Sequence, residues 1–446
     1  MRNPFVFGGP VIPEKFYGRQ TSIQFIMDRV FGASRSSVAL WGDRRVGKSS
    51  LLHYLSQPHL RTEWDIDPQK HHIIFVDCQS FIGQFSQQTF WDEILDQTID
   101  LFADESLRSQ AAALLDETEL DNRSWRRFFR KMQAAGESIT LFLDEFGSMV
   151  VNGFQENPRE LQGLLAGLRT MITAVLPSPT AVYPRPLAII TATRRPLDIL
   201  CRPVYQHIDS GSPFHNPFVF ERLKPFTEAE VRTLLATQLT DTGLIFAETE
   251  IQHLLAMAGR HPLLVQTYAS GLFAARLAAT AELTDFAALD GDFDGRVRPH
   301  FHDFWHYSSK AEKQFLAASI RRQLNFQSLP PNQENARRQL LNRGLFIEDN
   351  RLFSPLFEAW LRLNLPQIEE GESRPYDPRQ LLPTLDASFN EGELRELCFQ
   401  LQLDYEVLGG NGKREKVVSL LEWVQRHGRV SELVQLVRRT RPGLPL

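Results

Sequence analysis

The sequence predicts an α/β protein, a parallel doubly wound sheet covered by helices on both faces, followed by segments that are mainly helical. Three observations predict it. Short apolar runs at Val38–Trp41, Ile73–Val76, Ile139–Leu143 and Leu187–Thr191 are strand-length and separated by helical patterns, which is how β-α-β units read. Gly42-Asp43-Arg44-Arg45-Val46-Gly47-Lys48-Ser49 follows the first run directly and precedes the helix-forming Ser50–Leu55, so a glycine-containing turn joins strand to helix. Beyond Phe226 the alternation of strands and helices gives way to helical periodicity.

Taken in order, the first segment is rich in Gly, Pro and aromatics (Phe5, Phe7, Gly8, Gly9, Pro10, Pro13, Phe16, Tyr17). It is expected to be extended until Thr21 caps a helix through Ile23, Phe25, Ile26 and Val30. Thr227-Glu228-Ala229-Glu230 is a capping box leading into Val231, Leu234 and Leu235. Ile251, Leu254, Leu255 and Met257 mark a second helix, and Leu263–Leu277 a third. Residues 305–365 give helices and then Gly344–Phe353, two short apolar runs around Asp349-Asn350 that predict a hairpin and, with the helices, a winged helix. Gln367–Pro378 is acidic, carries Gly and Pro, and is expected to be a linker; Leu381–Val437 is a small all-helical module. The expected divisions are therefore 1–222, 223–290, 291–366, 367–380 and 381–446, without an internal repeat.

A chain of 446 residues exceeds one ordinary domain, and its 42% hydrophobic and 23% charged residues are those of a globular protein. The net charge of −5 supplies no global basic field for nucleic acid. Cys78, Cys201 and Cys398 are widely separated, lack metal-ligand spacing and are expected to be small buried groups in a reducing compartment. No apolar run is long enough to span a bilayer, and Met1–Phe5 begins no signal peptide, so a cytoplasmic location is expected, with no membrane partner.

The turn at Gly42–Ser49 is a phosphate-binding loop in the context that gives the pattern meaning. Its glycines let backbone N–H groups point at phosphate oxygens, and the positive end of the following helix adds to the field. Lys48 is placed to reach the β and γ phosphates, and the Ser49 hydroxyl to take one Mg²⁺ position. Gly42, Arg45, Val46, Gly47 and Ser50 complete the expected cradle. Ile139–Leu143 ends in Asp144-Glu145, which puts two carboxylates in the crevice at the strand ends of a doubly wound sheet. Asp144 is expected in the Mg²⁺ shell and Glu145 as the group that orients or deprotonates the attacking water; the alternative is a strand ending in ordinary acidic turn residues. Thr193-Arg194-Arg195 closes the next strand, where an arginine can contact the γ-phosphate. Arg194 is favoured over Arg195; a surface pair leading into Pro196 is the alternative. His71-His72 and the other histidines form no metal constellation.

With these stretches in place, residues 3–366 resemble the STAND branch of AAA-like ATPases, the signal-transducing switches related to NB-ARC proteins. Phe16-Tyr17-Gly18-Arg19 is similar to that family's hhGRxxE motif, whose apolar residues flank adenine, although Ser22 stands at the glutamate position. Gly42–Ser49 resembles its Walker A, Leu141–Glu145 its Walker B, Thr193-Arg194 its sensor, and Gly259–Pro262 its GxP motif, which implies Pro262 against the base. The winged helix is the family's next domain, but its nucleotide-contacting histidine motif is not evident near Leu345. Asn3-Pro4-Phe5, Gly8-Gly9-Pro10 and Gly211–Asn216 are similar to bacterial members found in conflict systems. Glu393–Cys398, Leu403–Leu408, Gly412–Lys416 and Arg426–Arg429 resemble an effector-associated domain of the seventh type, a small death-fold-like adaptor.

The resemblance implies an ATP- and Mg²⁺-dependent switch in antiviral defence that hydrolyses ATP slowly. It implies recruitment of an effector (a protease, nuclease or TIR protein) through a matching domain, and is compatible with ATP-dependent self-association. Lys413, Arg414, Lys416, Arg426 and Arg429 form either a solvated face or a docking surface for an acidic partner. Two other classes compete. In a DNA-binding regulator related to origin-recognition ATPases, Asn335–Arg343 would be a recognition helix with Arg351 on the wing, which the acidic balance and the flanks Phe301, Phe304, Trp305, Glu348 and Asp349 disfavour. A ring-forming remodelling ATPase would need an arginine supplied by a neighbour, for which Arg169 and Arg202 are nominal candidates.

Overall fold

The computed structural model describes all residues except 1, 33–34, 103, 116–121, 175–184, 207–211, 279–284, 374–377, 402, 411, 427–428 and 442–446. The chain divides into two compact units, Met1–Glu358 and Ala359–Leu446.

The first unit opens with α1 (Gln20–Val30), β1 (Ser37–Trp41), α2 (Lys48–Leu55), α3 (Pro58–Glu63), β2 (His71–Asp77), α4 (Gln87–Ile99), α5 (Glu105–Leu115) and α6 (Asn122–Ala134). It continues with β3 (Ser138–Asp144), α7 (Phe146–Glu156), α8 (Pro158–Thr173), β4 (Leu187–Thr193), α9 (Leu197–Gln206) and β5 (Phe218–Arg222). The strands form one sheet in the order β2-β3-β4-β1-β5, and every neighbouring pair is parallel. All seven residues of β3 and of β4 are buried, as expected of central strands covered on both faces. Alternate side chains go to opposite faces: Leu141 and Leu143 join one core with Phe90, Trp125 and Phe146, while Phe142 joins a second core with Val38, Leu40, Leu51 and Ile26.

The four expected strands are present, each extended by one to a few residues, and the three cysteines are buried and free. The fifth strand was not expected. Phe218-Val219-Phe220-Glu221-Arg222 lies at the sheet edge with Phe218 alone buried, so it carries charges that a central strand would exclude. Arg222 lies over the Trp41 ring at 4.4 Å, and Glu221 accepts a 2.7 Å hydrogen bond from Ser22. Ser22 thus has a strand-edge partner where the resembled family carries glutamate.

After the sheet come α10 (Glu228–Leu239), α11 (Glu248–Ala258), α12 (Pro262–Ala278), α13 (Phe286–His306), α14 (Lys310–Ile320), α15 (Pro331–Arg343) and α16 (Pro355–Ser373). The Thr227–Glu230 capping box forms as expected. The division expected at 290/291 falls inside α13, and the segment expected as a linker is helical through Ser373 and again from Pro378. Between α15 and α16 the expected hairpin is minimal. One antiparallel bridge joins Phe346 to Leu352, Ile347 N–H donates to the Arg351 carbonyl at 2.9 Å, and Asn350 turns with φ 64°. The second unit contains α17 (Pro378–Ser388), α18 (Glu391–Gln400), α19 (Lys413–Arg426) and α20 (Val430–Thr440) around Leu385, Leu397, Val424 and Leu433.

Gly259 terminates α11 at φ 60°, ψ −137°, and a Cβ there would lie 2.6 Å from the Phe353 ring beside the hairpin. Backbone strain and overlap act together, so Gly259→Ala is expected to destabilise the first unit by at least about 2 kcal/mol, read as a lower urea midpoint with unchanged slope.

Candidate functional site

The phosphate loop is built by two glycines with different tasks. Gly47 has φ 104°, a left-handed conformation that lets α2 start at Lys48 with its N–H groups facing outward. Gly42 is needed for space: a Cβ there would lie 2.6 Å from the Leu223 carbonyl oxygen. Lys48 is buried, and its Nζ donates to the carbonyls of Gly42 and Asp43 at 3.0 Å each. Burial lowers the pKa of this ammonium, opposed by Glu145 and Asp43.

Facing the loop, β3 delivers its carboxylates. Burial raises the pKa of Asp144, against a hydrogen bond from Ser49 and another from the Glu145 backbone N–H at 2.9 Å. Glu145 has φ 45° and caps α7 in a left-handed conformation. Its carboxylate lies 3.7 Å from Arg194 Nε at the tip of β4, and the Arg194 guanidinium lies 5.1 Å from the Tyr307 ring centre. Arg195 is exposed, with its carbonyl accepting from Thr193.

These groups border one cavity of about 410 Å³, which Arg45, Val46, Gly47, Lys48, Ser49, Ser50, Asp144, Glu145, Arg194, Phe16, Tyr17, Arg19 and Pro262 all line. Of the expected site residues, Gly42 alone lies behind the lining. Arg169 and Arg202 do not line it. Its volume is within the range of small-molecule sites. The Ser49 hydroxyl beside the Asp144 carboxylate is a hard oxygen set of the kind Mg²⁺ takes when phosphates and water fill the remaining positions. Among the described residues no group of three His, Cys, Asp or Glu is arranged to hold a metal.

Several expected contacts are already committed within the protein. Arg19 adopts φ 67°; its guanidinium donates to Val46 O at 3.0 Å and to Lys224 O, and stacks 4.3 Å over Phe226. Its backbone N–H reaches Glu230, the same carboxylate that closes the capping box of α10. Burial pulls the Arg19 pKa down to about 10, with Glu230 opposing. Arg45 donates to Gly8 O at 2.7 Å and Ser50 Oγ accepts from Val11 N–H at 3.0 Å, so both hold the N-terminal segment over the loop. That segment reaches α12, where Asn3 bonds Ser270 and Phe5 stacks on Phe246.

Sequence reasoning missed three features. Asp77 and Gln79 line the cavity, Asp77 in register with Asp144 on the adjacent strand, so a carboxylate ending the neighbouring apolar run was the available signal. Gln266 on α12 also lines it. Finally, the loop is tied to helices far along the chain. Arg343, buried at the end of α15, pairs with Asp43 at 2.7 Å and Glu312 at 3.2 Å, and Arg44 pairs with Asp303 at 2.8 Å. Burial alone would lower the Arg343 pKa, but Asp43 and Glu312 outweigh it and hold it raised. The end of the helix considered for DNA recognition is thus engaged with the phosphate loop.

Residues 379–442 match the family model of effector-associated domain 7. No curated protein matches the chain. Among solved structures, the Walker-type ATPase of Pyrococcus abyssi is similar over 80% of this chain and 99% of its own, with 16% identity and a TM-score of 0.51. The ORC2 protein of Aeropyrum pernix, in ADPNP–ADP complexes, is similar over 82% of this chain and 98% of its own, with 12% identity and a TM-score of 0.51. The parallel sheet is that of the P-loop NTPase fold. The chain joins that fold to a C-terminal effector-associated domain.

His261 packs against Phe304 with its Nε2 3.2 Å from Arg44 O, near Asp43, Arg19 and His300; burial pushes its pKa down to about 4. The folded state therefore refuses a proton that the unfolded chain takes below pH 6.5. Its contribution is complete above pH 6.5 and falls as pH drops toward about 4, by roughly 2 kcal/mol at pH 5. His261→Gln is expected to flatten the stability loss between pH 7 and pH 5, measured by urea unfolding.

Proposed function

We propose that the protein is an ATP-dependent switch whose nucleotide state controls recruitment of an effector through the C-terminal domain. The observation that carries the reading is the convergence of Lys48, Ser49, Asp144, Glu145 and Arg194 on one cavity whose loop is also paired with α13 and α15. Backbone N–H groups of the loop and Lys48 bind the triphosphate, and Lys48 exchanges its loop carbonyls for phosphate oxygens. Ser49 and Asp144 hold Mg²⁺, which neutralises charge on the phosphate oxygens when bound. Glu145 orients a water and accepts its proton, while Arg194, within reach of Glu145, contacts the terminal phosphate. Tyr307 on the far side of Arg194 offers a route from that phosphate to the segment after α13.

The STAND resemblance and the effector-associated match together support signalling in a conflict system, with a protease, nuclease or TIR effector as partner. The basic cluster is a weak candidate for the docking face, since most of it is bound internally. Lys413 donates to Asp386 O, Lys416 to Tyr405 O, and Arg429 to Leu401 O and Glu432, while Arg414 lies 4.0 Å from Asp386; the Arg426 side chain is outside the described residues. Phe399, 81% exposed, and Val407, 75% exposed, are the better contacts for a matching domain.

Glu145→Gln is expected to retain ATP binding while lowering turnover at least ~100-fold; turnover at the parental rate would remove Glu145 from the base role. Phe399→Asp in the full chain is expected to leave turnover unchanged and abolish capture of a partner bearing a matching domain. Unchanged capture would move the docking face elsewhere.

A further inference from the structure

Gln266 is the polar exception in the wall that α10 and α12 give the cavity; the other residues these helices contribute are Leu234, Pro262 and Leu263. It lies one helical turn after Pro262, so the two share a face of α12. It is 7% exposed, and its Oε1 is buried without a hydrogen-bond partner. Its polar neighbours on the helix are engaged: Thr267 Oγ1 donates to Leu263 O at 2.8 Å, Tyr268 Oη to Asp290 at 2.7 Å, and Ser270 holds Asn3. A carboxamide kept at a ligand cavity without a partner is costly unless the ligand supplies one.

We propose that Gln266 reads the hydrogen-bonding edge of the purine base, resting on the nucleotide-binding reading above. Pro262, Leu263 and Leu234 offer apolar contact to a base. A primary amide beside them presents one donor and one acceptor, matching the N1 acceptor and the N6 amino donor of adenine. Because the amide can rotate by half a turn, it can also serve the reversed pattern of guanine. Its signature is therefore dependence on the base edge itself, beyond any preference for ATP over GTP.

The test is calorimetric titration of the full chain, with Mg²⁺, using ATP and purine riboside triphosphate, which lacks the N6 amino group. The wild-type chain is expected to bind the analogue about tenfold more weakly than ATP, since a buried amide then loses a partner. In Gln266→Leu and Gln266→Met, which keep the volume, both ligands lose the bond to N1 but only ATP loses the bond to N6, so ATP should weaken about tenfold more than the analogue and the ATP-to-analogue ratio should fall to about one. An ATP-to-analogue ratio that is the same in wild type and in both variants overturns the inference while leaving nucleotide binding intact. Failure of the wild-type chain to bind either triphosphate, indistinguishable from Lys48→Ala, overturns the nucleotide reading and this inference with it.

Discussion

The ion pair between the buried Arg343 guanidinium and the half-buried Asp43 carboxylate organises the first unit. A guanidinium cannot be taken out of water unless its charge and hydrogen bonds are met. Here the donors are met by Asp43, Glu312, Ser308 Oγ and the Phe304 carbonyl. One of those acceptors belongs to the phosphate loop; the other three belong to α13, α14 and the turn between them. The loop is consequently part of the helical segment's packing as well as the continuation of an interior strand of the sheet. Arg44 to Asp303 and His261 to the Arg44 carbonyl repeat the connection on the next residue.

The same loop is fastened from the other side. Arg19 joins Val46 O to Lys224 O, and its backbone N–H ends on Glu230, so the start of α1, the loop and the start of α10 meet at one side chain. Arg45 and Ser50 hold the N-terminal segment, whose Asn3 and Phe5 are anchored on α12 and beside Phe246. Four of these fastenings end on backbone carbonyls, of which Val46 O belongs to the loop. The Val46 carbonyl, paired to Arg19, and the Arg44 carbonyl, met by His261, are thereby engaged within the protein.

The sheet was legible because its central strands are apolar on both faces, a pattern that few other structures produce. β5 was not, because its apolar run is only Phe218-Val219-Phe220 before Glu221 and Arg222, too short to stand out as a strand. The meeting of the loop, Asp144-Glu145 and Arg194 at one cavity was legible because their positions at strand ends bring them together. Arg19 was legible as important but not in its task, since its partners Val46, Lys224 and Glu230 are distant in sequence. Arg343 and Asp43 are separated by 300 residues, and neither belongs to a pattern that implies the other. Gln266 was hidden for a similar reason: on a helix read for its apolar face, one amide looks like ordinary surface polarity until its burial is known.

The geometry also sets the scale on which a ligand can act. Asp43 lies between Gly42, whose carbonyl holds Lys48, and Arg44, whose carbonyl meets His261. A phosphate that draws Lys48 away from the Gly42 and Asp43 carbonyls frees the segment that carries the Asp43 side chain. To convert a two-state equilibrium from 1:99 to 99:1, a ligand must favour one state by about 5.5 kcal/mol. In the proposed switch, the bond from the loop to α15 is the contact that a bound triphosphate would have to displace. Surface ion pairs such as Arg44 to Asp303 are worth at most about 1 kcal/mol and adjust the balance without setting it.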